Sequence, residues 1–580
     1  MRNFKEKINA GRLIFSTIFL LLLFSCDNEF LNLEPQDRVS GENIWNNEGV
    51  ADLVLNEVYG TLPPYRSAGW WSESWTDNAM NTQTWQGQAE IMRSGQVSPS
   101  NPLWTIKEYD AVNDWVWDEN FSYIRRCNVF IQNVTESEGL SSEYKTERIG
   151  EAKFLRAWYY TTLFKYFGGT PIITEPLDIN AQGDDVFRSR ATAQETAAFI
   201  SDDLKEAAAA LPLVQTDWGR ATKGAALALK GYIELLAASP LSNPEDDVSL
   251  WAKAASSYKQ VMDLGAYQIT PYYHGLFLEE NNMNSEMIFP YVIRYPLGNE
   301  DPDTRFLEDL FGPFNAFIEP FGYINYSISE STPTQDLVDA YRMKDGKTKE
   351  ESPLWNPDKP YENREPRFYE SILYDGAPFR DGFIYTRKGD PYNAVDRSRG
   401  SWITPTGYYM FKVYDERING LLDRPNGKKN LADYPLIRYA DVLLGYAEAQ
   451  NEAVGPDGTV LEAINQIRTR ADVSIPTIQE TYGTVSQDQM REIIRTERRI
   501  ELAFEDKRYT DITRWKIGDK LNGYVRGVEP SLDPATGEIK YEYFNVVPQL
   551  YITANDRNYR LPIPLTTMEK NPKLVQNPGY

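Results

Sequence analysis

Apolar positions recur at three- and four-residue steps over much of the chain, the spacing that places them along one side of a helix. Between Glu147 and Phe167 the series Ile149, Ala152, Leu155, Tyr159, Leu163 and Tyr166/Phe167 follows it, then stops at Gly168-Gly169 with Pro171 beyond. Glycine just after the last periodic residue, with proline shortly after, is a helix stop signal. The same reading predicts helices over 192–211, 221–239 and 250–264. In the second of these Gly224, Ala228, Gly231 and Leu235 share one side, and small residues there let a neighbouring helix come close. Helical spacing returns at 435–451, 459–471 and 487–504, and the last 60 residues read as extended and proline-punctuated.

Residues 271–430 break the pattern. They hold 27 Gly and Pro, against 45 in the other 420 positions, so they read as an irregular, loop-rich insertion laid over a helical platform. Helix pairs joined by short turns suggest a tetratricopeptide-like (TPR-like) helical-repeat scaffold. The fold class is therefore mostly α. One interlocked domain is expected over 41–580, with scaffold at about 41–270 and 431–580 and the excursion at about 271–430.

The N-terminus reads as an address. Arg2, Lys5, Lys7 and Arg12 precede an apolar stretch, Leu13 to Phe24, that is too short to span a bilayer. Residues 1–25 are expected to be a signal peptide, and Leu23-Phe24-Ser25-Cys26 resembles a bacterial lipobox, with cleavage before Cys26 and acylation of that residue. Residues 26–40 would then be a lipidated tether, and the membrane would be met only through the anchor.

Composition narrows the chemistry. With 60 basic against 84 acidic residues the formal charge is −24, and removing residues 1–25 takes it to −27. Nucleic acid is thereby excluded as a main partner, because phosphate binding needs clustered Lys and Arg. His274 is the single histidine, so triads and His-rich metal sites have almost nothing to build on. Of the two cysteines one is the expected anchor, which leaves Cys127 without an intrachain partner.

Ordered motifs then bring in a family. The run Leu436-Ile437-Arg438-Tyr439-Ala440-Asp441-Val442-Leu443-Leu444-Gly445-Tyr446-Ala447-Glu448-Ala449 resembles the signature helix of the SusD/RagB family of Bacteroidetes outer-membrane nutrient-binding lipoproteins. Glu151-Ala152-Lys153-Phe154-Leu155-Arg156-Ala157, Phe167-Gly168-Gly169-Thr170-Pro171, Arg364-Glu365-Pro366-Arg367-Phe368 and Glu497-Arg498-Arg499 are similar to further family blocks, as is the ending Gln576-Asn577-Pro578-Gly579-Tyr580. The resemblance implies about four TPR-like helix pairs, a ligand site in the irregular part, and no catalysis. It also implies a surface position on the outer membrane and a SusC-like TonB-dependent transporter as partner, to which a captured oligo- or polysaccharide is delivered.

Sugars offer C–H faces and a ring of hydroxyls, so their recognition calls for flat aromatic rings beside planar hydrogen-bonding groups. Eight of the 14 tryptophans fall within 45–117. The family's stacking tryptophan lies a few residues after a Thr-Asp pair; here Trp75-Thr76-Asp77 precedes Trp85, which makes Trp75, Asp77 and Trp85 candidates. A second aromatic run follows Phe289, and from it Arg294, Tyr295, Tyr323 and Tyr326 are candidates, the tyrosines by their place upstream of the Pro333 helix.

Two other readings compete. A glycoside hydrolase would need a carboxylate pair, but Glu497, Glu501 and Glu505 are interleaved with Arg495, Arg498, Arg499 and Arg508, which reads as charge-paired helix surface. A peptide- or glycoprotein-binding subunit of the same kind of transporter complex is the alternative within the family. No cofactor is expected, although the acidic run Asn299-Glu300-Asp301-Pro302-Asp303 leaves a structural Ca²⁺ open. For a polyanionic glycan, Arg294 and Arg364/Arg367 are the only suggestive local positive charge.

Overall fold

Side-chain caps fix where the long helices begin. Ser141, Thr192 and Thr222 accept the backbone N–H of Tyr144, Glu195 and Ala225, satisfying donors that a helix start leaves open. The computed structural model describes residues 44–62, 70–84, 87–101, 115–292, 318, 320, 329–418, 431–550 and 556–580. The signal peptide 1–25, Cys26 and the tether lie outside the described residues.

The principal helices are α1 (Glu48–Tyr59), α2 (Asn120–Glu136), α3 (Ser142–Phe167), α4 (Ala193–Ala210), α5 (Lys223–Ala238), α6 (Val248–Asp263), α7 (Tyr439–Val454), α8 (Gly458–Arg468), α9 (Gln487–Glu501) and α10 (Arg508–Arg514). From α1 to α7 each packs on its successor, and α9 also packs on α7. The row passes from α6 to α7 without a break, although residues 264–438 intervene in sequence. The mostly helical class read from the sequence agrees with this architecture. Helix α3 ends as the glycine pair requires, at a Gly168 with φ +76° whose N–H donates to Phe164 O.

Strands are short and paired two by two, all antiparallel. Those that bear on the site are β1 (Ala79–Asn81), β2 (Met287–Tyr291), β3 (Ser331–Pro333), β4 (Tyr434–Arg438), β5 (Gly523–Leu532) and β6 (Ile539–Gln549). β1 pairs with β3, β2 with β4, and β5 with β6 in a long hairpin. The β2–β4 pair ties residues 287–291 to the segment that leads into α7. It also corrects the sequence reading, in which a helix started at 435. Every residue from Tyr434 to Arg438 is buried, so the strand shows no alternation and merges with the apolar pattern of α7.

The small-residue side of α5 meets its neighbour α6. Tyrosine rings fill it. A Cβ on Gly231 would stand 2.7 Å from the Tyr258 ring, and one on Gly445 of α7 would stand 2.5 Å from the same ring, so Tyr258 of α6 is threaded between two glycines. Gly231→Val is expected to lower stability by about 2–3 kcal/mol through overpacking, read as a lower urea midpoint at unchanged slope. An unchanged midpoint would show that the ring can move aside.

Cys127 is buried on α2, and burial pushes its thiol up to about 12, which leaves it unreactive. His274 is also framework. Its ring stacks on Phe411 at 4.7 Å, Nε2 lies 2.9 Å from Tyr414 O, and burial lowers its pKa.

Candidate ligand site

The β1–β3 ribbon joins the two parts of the chain that carry the sugar candidates. Its register pairs Ala79 with Pro333 and Asn81 with Ser331. Beyond the ladder, Thr82 N donates to Glu330 O at 3.2 Å and Thr82 Oγ1 to Ser329 O at 2.6 Å, so the strands continue side by side toward one end. From that end one chain leads on to Trp85 and the other leads back to Tyr326 and Tyr323. Those three residues, with Arg294 and Tyr295, lie outside the described residues. What the described residues establish is that both routes start from the same ribbon end, and three residues of chain reach at most about 10 Å.

Buried cations brace this end. Arg93 Nη1 donates to Asn81 Oδ1 at 3.1 Å, and burial lowers the guanidinium to about 10. Arg399, from the excursion, donates to Glu90 Oε1 at 2.7 Å and reaches the carbonyls of Asn81 and Gln83. Sequence reasoning missed both arginines. Neither stands near a motif, and Arg399 meets its partners across more than 300 residues.

Trp75 and Asp77, expected to face ligand, are instead part of the support. Trp75 is only 4% exposed and sits edge-on against Tyr509, with centroids 5.4 Å apart. A ring in that position cannot stack on a sugar. Asp77 receives Arg508 through both oxygens, at 2.8 and 2.9 Å, and Arg499 at 2.9 Å. Burial works to raise the Asp77 carboxyl, but Arg499 and Arg508 outweigh it and hold the group at about 2. Its charge is thus spent on fixing the loop to α9 and α10.

The acidic row at the end of α9 is charge-paired, as the sequence reading has it, but with other partners. Glu497 meets Arg367 and Arg468, Glu501 meets Arg367, Arg438 and Arg470, and Glu505 meets Arg438 and Lys412. The interleaved Arg498 pairs with Asp441 and Asp511 instead, while Arg499 and Arg508 pair with Asp77. Arg367 and these three glutamates are buried, and opposing burial the arginines hold Glu497 at about 2 and Glu501 below the usual carboxylate range. Such groups cannot serve as a general acid. Arg364 is likewise buried, donating to Pro360 O and Tyr341 O, so Arg364 and Arg367 do not form a polyanion patch. The acidic run 299–303 lies outside the described residues.

Comparison with known proteins places this arrangement. A model of the SusD family matches residues 314–580, and a SusD-like model described as starch-binding, associating with the outer membrane, matches residues 29–235. The chain belongs to the SusD family. A crystal structure of a SusD-like protein from Bacteroides fragilis aligns with a TM-score of 0.73 at 26% identity, covering 94% of this chain and 100% of that one. A second B. fragilis structure, described as a SusD-like carbohydrate-binding protein, gives 0.71 at 27% identity, with 92% and 100% covered. A SusD-like protein of Formosa agariphila is 25% identical over 547 residues, 91% of this chain and 95% of that protein. This SusD-family chain is thus grouped with carbohydrate-binding proteins that associate with the outer membrane. Among the described residues, no helix is long and apolar enough to cross a membrane.

Proposed function

We propose that this SusD-family protein captures a neutral oligo- or polysaccharide at the loops leaving the β1–β3 ribbon and delivers it to a SusC-like TonB-dependent transporter. Acyl chains on Cys26 would hold it at the cell surface, with no catalytic step and no cofactor. The observation that carries the reading is the ribbon itself, whose one end feeds the Trp85 loop and the Tyr323/Tyr326 segment. Two routes rich in aromatic residues that start together can build one stacking surface, with Arg294 and Tyr295 supplying hydroxyl contacts. The carbohydrate-binding description of the B. fragilis relative supports the ligand class, and the net charge of −24 favours a neutral polymer over an anionic one.

Native electrophoresis through gels carrying soluble polysaccharides tests this. One neutral glycan should retard the wild type, and Trp85→Ala and Tyr323→Ala should each weaken the retardation about tenfold, equivalent to about 1.4 kcal/mol. If both variants migrate as the wild type does in the retarding gel, the platform lies elsewhere. Retardation by none of the glycans, together with binding of a peptide library, would favour the peptide-binding alternative.

A further inference from the structure

A cavity of about 110 Å³ lies on the scaffold side of the Trp75 loop. Its walls come from α3, α5, α6, β4, α7 and the corner after α9, and the groups that give it chemistry are Trp158, Lys165, Tyr232, Tyr258, Asp506 and Lys507. A single water needs about 10–15 Å³ of such space, so there is room for a compact ligand or several waters. The chain Tyr166–Tyr509–Trp75, with ring centroids 5.8 and 5.4 Å apart, links the cavity wall at Tyr166 to the Trp75 loop.

Two buried polar atoms on its lining residues are unused. Tyr258 is 2% exposed and its Oη has no hydrogen-bond partner among the described residues, and the same holds for Trp158 Nε1. A buried polar group left unpaired costs about 1–3 kcal/mol, so such atoms mark a place where a polar guest is accommodated.

The charges select the guest's class. Both lysines are already committed, Lys165 to Asp506 at 3.0 Å and Lys507 to Asp441 at 3.1 Å. Three carboxylates, Asp441, Glu505 and Asp506, line the space against two ammonium groups, which disfavours an anion. A metal ion is disfavoured because those carboxylates are paired, and no metal-ligand cluster occurs among the described residues. What remains is a neutral molecule that can both donate and accept hydrogen bonds and that has flat C–H faces for Trp158 and Tyr232.

We infer that this cavity is a second binding site, separate from the loop platform, for a neutral monosaccharide. Ion-paired lysines and carboxylates offer bidentate partners to vicinal hydroxyls, Tyr258 Oη and Trp158 Nε1 complete their hydrogen bonds on the ligand, and the rings cover its faces. The inference extends the saccharide reading to the scaffold but does not depend on the loops.

Isothermal titration of the purified protein with glucose, galactose, mannose, xylose and, as a charged control, glucuronate tests it. At least one neutral sugar should bind at a 1:1 ratio, with glucuronate at least tenfold weaker. Trp158→Phe and Lys507→Met should each weaken that sugar about tenfold, while Trp85→Ala leaves it unchanged. Tyr258→Phe deletes only an unpartnered oxygen, so it should melt as the wild type does without sugar yet show a smaller upward shift of Tm with saturating sugar. Absence of binding by every neutral sugar overturns the site. So does binding that is indifferent to both Trp158→Phe and Tyr258→Phe, or binding lost in Trp85→Ala. Failure of the loop platform would instead appear in the polysaccharide gels, with small-sugar binding intact.

Discussion

Arg438→Met is expected to cost about 3–5 kcal/mol of stability, the range for removing one partner from a buried ion pair. Arg438 donates Nε and Nη2 to Glu505, both at 2.7 Å, and Nη1 to Glu286 at 2.7 Å and Glu501 at 2.8 Å. It is the hub of a cluster in which Arg367, Arg438, Arg468, Arg470 and Lys412 face Glu286, Glu365, Glu497, Glu501 and Glu505, every side chain at most 2% exposed. Five charges of each sign balance. Methionine keeps much of the volume and removes the fork, so three carboxylates would be left with fewer partners in a dry interior. The cluster draws on β4, on the residue before β2, on residues 365–367 and 412 of the excursion, and on α8 and α9 with the corners that follow them. Losing it should therefore loosen the excursion from the scaffold as a unit. Urea denaturation should show a much lower midpoint for Arg438→Met, whereas Lys359→Met, which breaks an exposed pair with Glu362, should stay within about 1 kcal/mol of wild type. A midpoint for Arg438→Met equal to that of Lys359→Met would mean that the cluster is dispensable.

How much of this was legible follows from the range of each signal. Helix ends are local, and Gly168 marks the end of α3 and Thr192 the start of α4 within a residue, although the periodic pattern opens α3 at Glu147 where the helix begins at Ser142. Residues 434–438 were misread because a strand buried on both sides carries no alternation to set against the helix that follows it. The acidic row of α9 announced charge pairing but not its partners, since Glu501 meets Arg470 across 31 residues and Arg367 across 134. Trp75 and Trp85 both flank Asp77, two residues before it and eight after, and what buries Trp75 is Tyr509, far along the chain. The β1–β3 ribbon is a contact across about 250 residues. Motif resemblance could point to both of its loops, but only the fold shows that they leave the same end.

The loop beneath that ribbon carries a second large effect. Glu73→Gln is expected to remove most of the loss of stability between pH 5 and pH 8. Glu73 is fully buried; Asn78 Nδ2 donates to its Oε2 at 2.9 Å, and its Oε1 has no partner among the described residues. Burial first, and then the nearby Asp506 carboxylate, raise the group to about 8 against the opposing pull of Asn78, Arg508 and Lys412. A carboxyl with a folded pKa above its unfolded value keeps its proton in the folded state while the unfolded chain releases it. Its contribution is complete below about 4.5 and is lost as pH rises toward 8, by about 4 kcal/mol at 1.36 kcal/mol per pH unit. Glu370, raised to about 7 by burial, adds a smaller loss of the same sign. Asp77 and Glu497, both at about 2, act oppositely, giving stability that is present above about 4 and lost in acid. Wild type should therefore be most stable near pH 5. Glutamine cannot ionise and still offers Asn78 a carbonyl acceptor, so the variant should match wild type at pH 5 and exceed it at pH 8. Urea midpoints at the two pH values decide the matter: if Glu73→Gln falls between pH 5 and 8 as steeply as wild type, the titrating group is not Glu73.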